Sequence, residues 1–271
     1  MIRGIVDLHV HSAPSIVPRH TSDPGTAAVA LETGMATFVL KAHEGSTAER
    51  AELLGGGAVG GVVLNSPVGG ANPDAVAVAA HLGARVVWLP TISSPAHKAA
   101  HRNPELHAHA GLAFRQVPVV EDGRVRAEWL DVLDEVAAGD LLLASGHLAM
   151  DETVVAFSAA RARGVRRLLV NHPLLGFLGW RDEHADALRE LDARLEVGVL
   201  ADLLADEGRT TEYLLDRYPL ELLAFGSDLG HAHYPRLDDG LAAWTARLLP
   251  RLGDDGLTRL MISNGKGLLE P

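Results

Sequence analysis

The segment DLHVHS at residues 7–12 places His9 and His11 one residue apart in an otherwise apolar run. Further along the chain, Lys41 and His43 stand in LKAHEG, His147 in ASGH, Asn171 and His172 in LVNHP, and Asp228 in FGSD. Each group closes a short stretch of apolar, often β-branched residues, the pattern of a strand buried on both faces. Residues i and i+2 of a strand share a face, so His9 with His11, and Lys41 with His43, can point the same way. Adjacent strands lie about 4.8 Å apart, close enough for strand ends to converge on one ion. Several imidazoles and one carboxylate form a donor set for Zn²⁺, Mn²⁺ or Fe²⁺. The chain has 14 histidines and no cysteine. Disulfides, thiolate zinc sites and cysteine nucleophiles are thereby excluded, which leaves imidazole and carboxylate as the metal donors.

The elements that must carry these groups alternate along the chain. Apolar runs at residues 5–11, 37–43, 61–65, 85–90, 141–147, 167–172, 195–200 and 222–228 read as strands. Helical patterns lie between them at 24–33, 47–54, 73–82, 127–138, 151–163, 183–194 and 210–217. Ser46, Asn72, Asp151 and Asp182 are cap-like starts, and Gly34, Gly83, Gly139 and Gly164 are stops. Eight βα units in a row predict an α/β fold, a closed (β/α)8 TIM barrel forming a single domain over residues 1–271. No GxGxxG or Walker A pattern follows a strand, which speaks against an open doubly wound sheet. One unit is long: residues 91–126 form an insertion after the fourth strand, ending in QVPVVEDGRVR. Asp122–Gly123 there reads as a hairpin turn, and the insertion is expected over the C-terminal mouth of the barrel. The tail, residues 254–271, reads as one more short helix packed on the outside.

Composition narrows the partners. With 24 Lys and Arg against 35 Asp and Glu, the formal charge is −11, which argues against nucleic acid and anionic membrane surfaces. No apolar stretch approaches the ~18–20 residues that cross a bilayer, and the N-terminus lacks a signal peptide's apolar run, so the expected location is the cytoplasm. The richness in Ala, Gly, Leu and Arg suits a high-GC bacterial genome. A small-molecule substrate is expected, and oligomeric state is not readable.

With an HxH on strand one, histidines ending strands five and six, and an aspartate ending strand eight, the chain resembles the amidohydrolase superfamily of metal-dependent hydrolases over the whole barrel. The resemblance implies that His9, His11 and Asp228 bind the more buried metal, and that His147 and His172 serve a second metal or the substrate. It implies one or two divalent ions, zinc first with Mn or Fe as substitutes, and water attack on an amide, lactone or ester bond. Asp228 would then move the water's proton, His172 or His147 would stabilise the oxyanion, and Asn171 would orient a ligand from behind. One departure stands out. Two-metal members end strand four in a carboxylated lysine or a glutamate, whereas this strand reads VVWLPTIS.

Lys41 therefore has three readings: a carbamate bridge, a cation for an anionic substrate, or a buried lysine paired with Asp7 or Glu44. His43 and His231 are further candidates for metal or substrate contact, and Trp88, Phe177 and Trp180 are candidates for pocket lining. His20, His81 and His184 are expected at the surface. His97, His101, His107 and His109 belong to the insertion, with HAH at 107–109 within possible reach of a substrate. Rival functions are a mononuclear-metal decarboxylase on the same barrel, a phosphoesterase resembling the polymerase and histidinol phosphatase family, and a ligand-binding barrel without turnover.

Overall fold

A computed structural model gives the fold and describes residues 2–100 and 112–270. Eight parallel strands run along the chain: β1 (Ile5–Val10), β2 (Met35–Leu40), β3 (Gly61–Val63), β4 (Val86–Trp88), β5 (Leu142–Ala144), β6 (Arg167–Val170), β7 (Arg194–Val197) and β8 (Leu223–Phe225). β3 to β8 form one sheet in sequence order, and β1, β2 and the short strand Ala58–Val59 form a second. The third strand links them, because Ala58–Val59 pairs with β2 while Gly61–Val63 pairs with β4. At the other seam Val10 bridges Leu229. There the His11 N–H donates to the Leu229 carbonyl, and the Asp228 N–H donates to the His9 carbonyl, each at 2.8 Å. The arrangement is that of a TIM barrel with its helices outside.

Period-two alternation sorts the strand residues into two apolar shells. Val39, Val63, Val86, Trp88, Leu142, Ala144, Leu169 and Ala224 fill the interior. Their neighbours Leu40, Val62, Val87, Leu143, Leu168, Val170, Leu223 and Phe225 pack outward against the helices. β1 departs from strict alternation. Its pairing with β2 shifts register between Asp7 and Val10, so Leu8 joins the interior cluster while the His9 ring also lies inside, 6.4 Å from the Trp88 ring. A bulge re-aims side chains in this way, here where the chemistry begins.

The tail corrects its sequence reading. After a long helix, Leu237–Thr258, the chain ends in Asn264–Leu269, whose Leu268 and Leu269 are buried with Val6 and Leu8 in the interior cluster. The tail therefore plugs the N-terminal end of the barrel instead of packing outside. An open barrel floor would leave those apolar side chains in water.

The hairpin forms as expected, with Val120–Glu121 paired to Arg124–Val125. Asp122 (φ 48°) and Gly123 (φ 71°) both adopt the left-handed conformation that two-residue turns favour. Its position differs from the expectation: it lies along the flank, against the helix Met150–Ala162, and not over the mouth. Val119 is buried beside it, and the Trp129 indole N–H donates to the Pro118 carbonyl at 3.0 Å. Among the described residues of the insertion, the helix Pro95–Ala100 reaches the mouth through His97. His101, His107 and His109 lie outside the described residues. Asn72 caps Pro73–His81 by accepting from the Ala75 N–H at 3.2 Å, whereas the caps expected at Ser46, Asp151 and Asp182 fall one or two residues earlier or later, at Thr47, Ala149 and Arg181. Among the described residues no helix is long and apolar enough to cross a membrane.

Candidate metal centre

Three donors converge where β1 meets the end of β8. Asp228 Oδ1 lies 3.0 Å from His9 Nε2 and 3.1 Å from His11 Nε2. One ligand atom from each of these residues falls within 4.8 Å of the others. Both imidazoles are oriented from behind. His9 Nδ1 sits 3.1 Å from Glu196 Oε1 on β7, and His11 Nδ1 sits 2.8 Å from the Lys41 carbonyl on the β2 side. These oxygens accept, so each Nδ1 carries the proton and each Nε2 presents a lone pair inward. A nitrogen–nitrogen–oxygen set fixed in this way fits a divalent ion held by His9, His11 and Asp228.

Electrostatics favour the ligating forms of His11 and Asp228. Burial opposes ionisation of Asp228, but His9 and His11 outweigh it and hold the carboxyl well below the usual range. Burial pushes His11, His43 and His147 well below the ordinary imidazole value, and His172 down to about 4. They are therefore neutral near pH 7, as metal ligands and neutral hydrogen-bonding groups must be. His9 alone moves upward, since Asp228 and Glu196 together overcome its burial and the nearby Lys41.

The remaining rim histidines complete a circuit. Ring centroids are 5.1 Å apart for His9–His11, 5.2 Å for His11–His43, 5.9 Å for His43–His147, 5.0 Å for His147–His172 and 6.0 Å for His172–His9. Special backbone places two of the contributors. His172 (φ 30°) and Asp228 (φ 54°) occupy left-handed conformations, which cost a non-glycine residue roughly 1 kcal/mol or more. Gly146 (φ 61°) precedes His147, and a Cβ there would lie 2.1 Å from the Leu89 carbonyl, so only glycine fits. His43 Nδ1 is 2.9 Å from Thr91 Oγ1, and Asn65 donates to both the His43 carbonyl and Thr91. The Nδ1 of His172 is buried with no hydrogen-bond partner among the described residues.

Asn171 stands behind the ligands. Its amide donates to Glu196 Oε2 at 2.8 Å and accepts from the Gly146 N–H at 3.0 Å, so it holds the carboxylate that holds His9. Lys41 is fully buried, with Nζ 3.0 Å from His9 Nε2 and 5.5 Å from the centroid of the Trp88 ring. Burial lowers its pKa to about 8. Among the described residues Lys41 has no ion pair with Asp7 or Glu44; Asp7 instead accepts from the N–H groups of His9 at 3.0 Å and Ser227 at 2.8 Å.

Above the centre opens a cleft of about 730 Å³. His11, His43, His147, His172, Asp228 and His231 line it, with Val17, Leu175, Phe177, Leu200 and Leu204 as an apolar wall. Trp88 is interior core below the centre, and Trp180 packs in the core against His184 and Tyr218. His20 and His81 are exposed. His184 is not: it is buried, accepts from the Arg181 N–H at 3.0 Å and sits 2.9 Å from Asp151 Oδ1, a helix-start role that its polar surroundings in sequence concealed.

Three site residues escaped the sequence reading. Glu196 stands alone among apolar neighbours in LEVGVL, on the parity that faces the interior, and that isolation was a usable signal. His97 stacks on His147 at 4.9 Å with their Nδ1 atoms 2.8 Å apart, although it comes from the insertion. Arg19 lines the cleft from the segment after β1, where no periodicity marks it.

A family model described as "Family of unknown function (DUF6282)" matches residues 4–196. The chain belongs to this family. A search of curated proteins found no match. Among solved structures, the chain is similar to a putative 2-pyrone-4,6-dicarboxylic acid hydrolase from Pseudomonas putida, with 15% identity, TM-score 0.65 and coverage of 99% of this chain and 98% of that one. It is also similar to an amidohydrolase from Pseudomonas aeruginosa, with 11% identity, TM-score 0.64 and 98% and 95% coverage. A 2,6-dihydroxybenzoate decarboxylase from Rhizobium matches with 12% identity, TM-score 0.57 and 99% coverage of both chains. These structural neighbours are members of the amidohydrolase superfamily, and the likeness shows that their barrel is the fold of this chain.

Proposed function

We propose that the protein is a metal-dependent hydrolase that cleaves an amide, lactone or ester bond in a small molecule, with zinc as the ion and Mn or Fe as substitutes. The observation that carries this reading is the convergence of His9, His11 and Asp228, with both imidazoles oriented from behind. A divalent ion, when held by these residues, would lower the pKa of water and polarise a scissile carbonyl. Asp228, ionised and facing the cleft, accepts the proton of the attacking water and returns it to the leaving group. His147 and His172, neutral at the cleft wall, hydrogen-bond the developing oxyanion. Glu196 and Asn171 keep His9 in its ligating orientation. The names of the Pseudomonas neighbours agree with hydrolysis.

A second reading, decarboxylation with one ion, has a specific observation in its favour: β4 ends in Trp88 and carries no group able to bridge two metals. The Rhizobium neighbour is named a decarboxylase. Elemental analysis of purified protein, followed by a panel of amides, esters, lactones and carboxylic acids with and without chelator, separates the readings. Hydrolysis products that vanish with chelation support the first, and release of carbon dioxide supports the second. Protein that is purified without metal and takes up neither Zn²⁺, Mn²⁺ nor Fe²⁺ would sink both.

A further inference from the structure

We propose that the cleft accepts a substrate bearing a carboxylate and that Arg19 is the group that binds it, an inference that rests on reading the cleft as the active site. Arg19 lies between β1 and the helix Asp23–Glu32, on a segment tied to the chain after β8. Its backbone bridges His231, the His20 N–H donates to the Gly230 carbonyl at 2.9 Å, and the Ala232 N–H donates to the Pro18 carbonyl at 3.0 Å. The side chain is thus presented from a fixed lip. Its Nε and Nη2 are buried and have no hydrogen-bond partner among the described residues.

The other arginine nearby shows what a satisfied guanidinium looks like. Arg50 grips Asp23 through Nε at 2.9 Å and Nη2 at 2.7 Å. Among the described residues the Nε and Nη2 of Arg19 make no such hydrogen bond, although Asp228 and Glu44 lie near enough to stabilise its charge, and leaving buried charged donors unmet is costly. Burial lowers its pKa to about 10, so it remains a cation near neutral pH. Asp228 is the one acid among the residues that line the cleft, and it is held by His9 and His11. An incoming anion therefore finds an available fork of donors whose planar geometry matches a carboxylate. Lys41, the cation suggested by sequence, does not line the cleft; it lies at His9 beneath it. Val17, Leu175 and Phe177 offer an apolar surface to the rest of the molecule. The expected substrate is a small carboxylic acid with an apolar or aromatic body, its scissile bond elsewhere in the molecule.

Isothermal titration with phenylacetate, phenylacetamide and phenyl phosphate tests this, run on both metal-loaded and chelator-treated protein. Wild type should bind phenylacetate at least about tenfold tighter than the amide in both forms, the scale of a charge-assisted hydrogen-bond pair. Arg19→Gln should remove that preference, and Arg19→Lys, which keeps charge but loses the fork, should retain only part of it. Melting curves establish that each variant is folded, and Arg19→Lys carries the test if Arg19→Gln does not fold. Equal binding of acid and amide by wild type, or an undiminished preference in a folded Arg19 variant, would overturn the assignment. Tighter binding of phenyl phosphate than of phenylacetate would overturn the carboxylate as the ligand. Because the preference is read in metal-free protein and without turnover, its failure is distinct from failure of the hydrolase reading, which metal uptake and product analysis decide.

Discussion

The same strands end very differently at the two openings of the barrel. At the C-terminal mouth stand a circuit of five imidazoles, the partly buried carboxylate of Asp228 and two non-glycine residues in left-handed backbone. At the N-terminal floor, Leu268 and Leu269 close against Val6 and Leu8 in an apolar cluster. The mouth carries charge and conformational strain; the floor carries apolar burial. Since neither end can do the other's work, changes at one end should leave the property of the other nearly intact.

The largest effect is expected at the mouth. His9→Ala and Asp228→Asn should each reduce activity on a responsive substrate about a thousandfold or more, with metal content by elemental analysis falling in parallel and the far-ultraviolet circular dichroism unchanged. At the floor, Leu268→Ala should cost about 2–5 kcal/mol in urea denaturation, while the metal-to-protein ratio stays that of wild type. A Leu268→Ala protein that folds but no longer binds metal would mean that the two ends are coupled and that the contrast is false. Between the extremes lies Glu196→Gln, which leaves the ligands in place but weakens the acceptor behind His9. Competition with a chelator should show metal affinity lower by about 10–100-fold. Smallest of all, Asn72→Ala removes a helix cap and should cost about 1 kcal/mol of stability with no change in metal affinity.

The contrast also explains what was legible in the sequence. His9, His11 and Asp228 were found because each ends an apolar strand, and strand ends in a closed barrel share a rim. The placement of His147 was equally readable, although its dependence on Gly146 was not. Glu196 was passed over because one acid inside an apolar run looks like an interruption until the run is known to face the interior. His97 and Arg19 had no such signal. They reach the cleft from irregular segments, whose paths are set by bridges such as Arg19–His231 and by packing against the rim, not by any local period. His184 failed in the opposite sense, since a polar stretch of sequence concealed a buried cap. The floor was misread for a related reason: the pattern of the tail shows a helix, but which surface that helix covers depends on the cavity left by strands from the whole length of the chain.

Sequence by itself determined the order of the βα units, the pairing of His9 with His11 and of Lys41 with His43 on shared strand faces, and the restriction of candidate metal donors to nitrogen and oxygen. These follow from local periodicity and residue type, which travel with the chain. Only the tertiary structure decided that Glu196 fixes the tautomer of His9, that Lys41 lies beneath His9 instead of facing a substrate, and that Arg19 brings an unmatched guanidinium to the cleft. Those are relations between groups distant in sequence, and their energies depend on distance and burial that exist only once the barrel has closed.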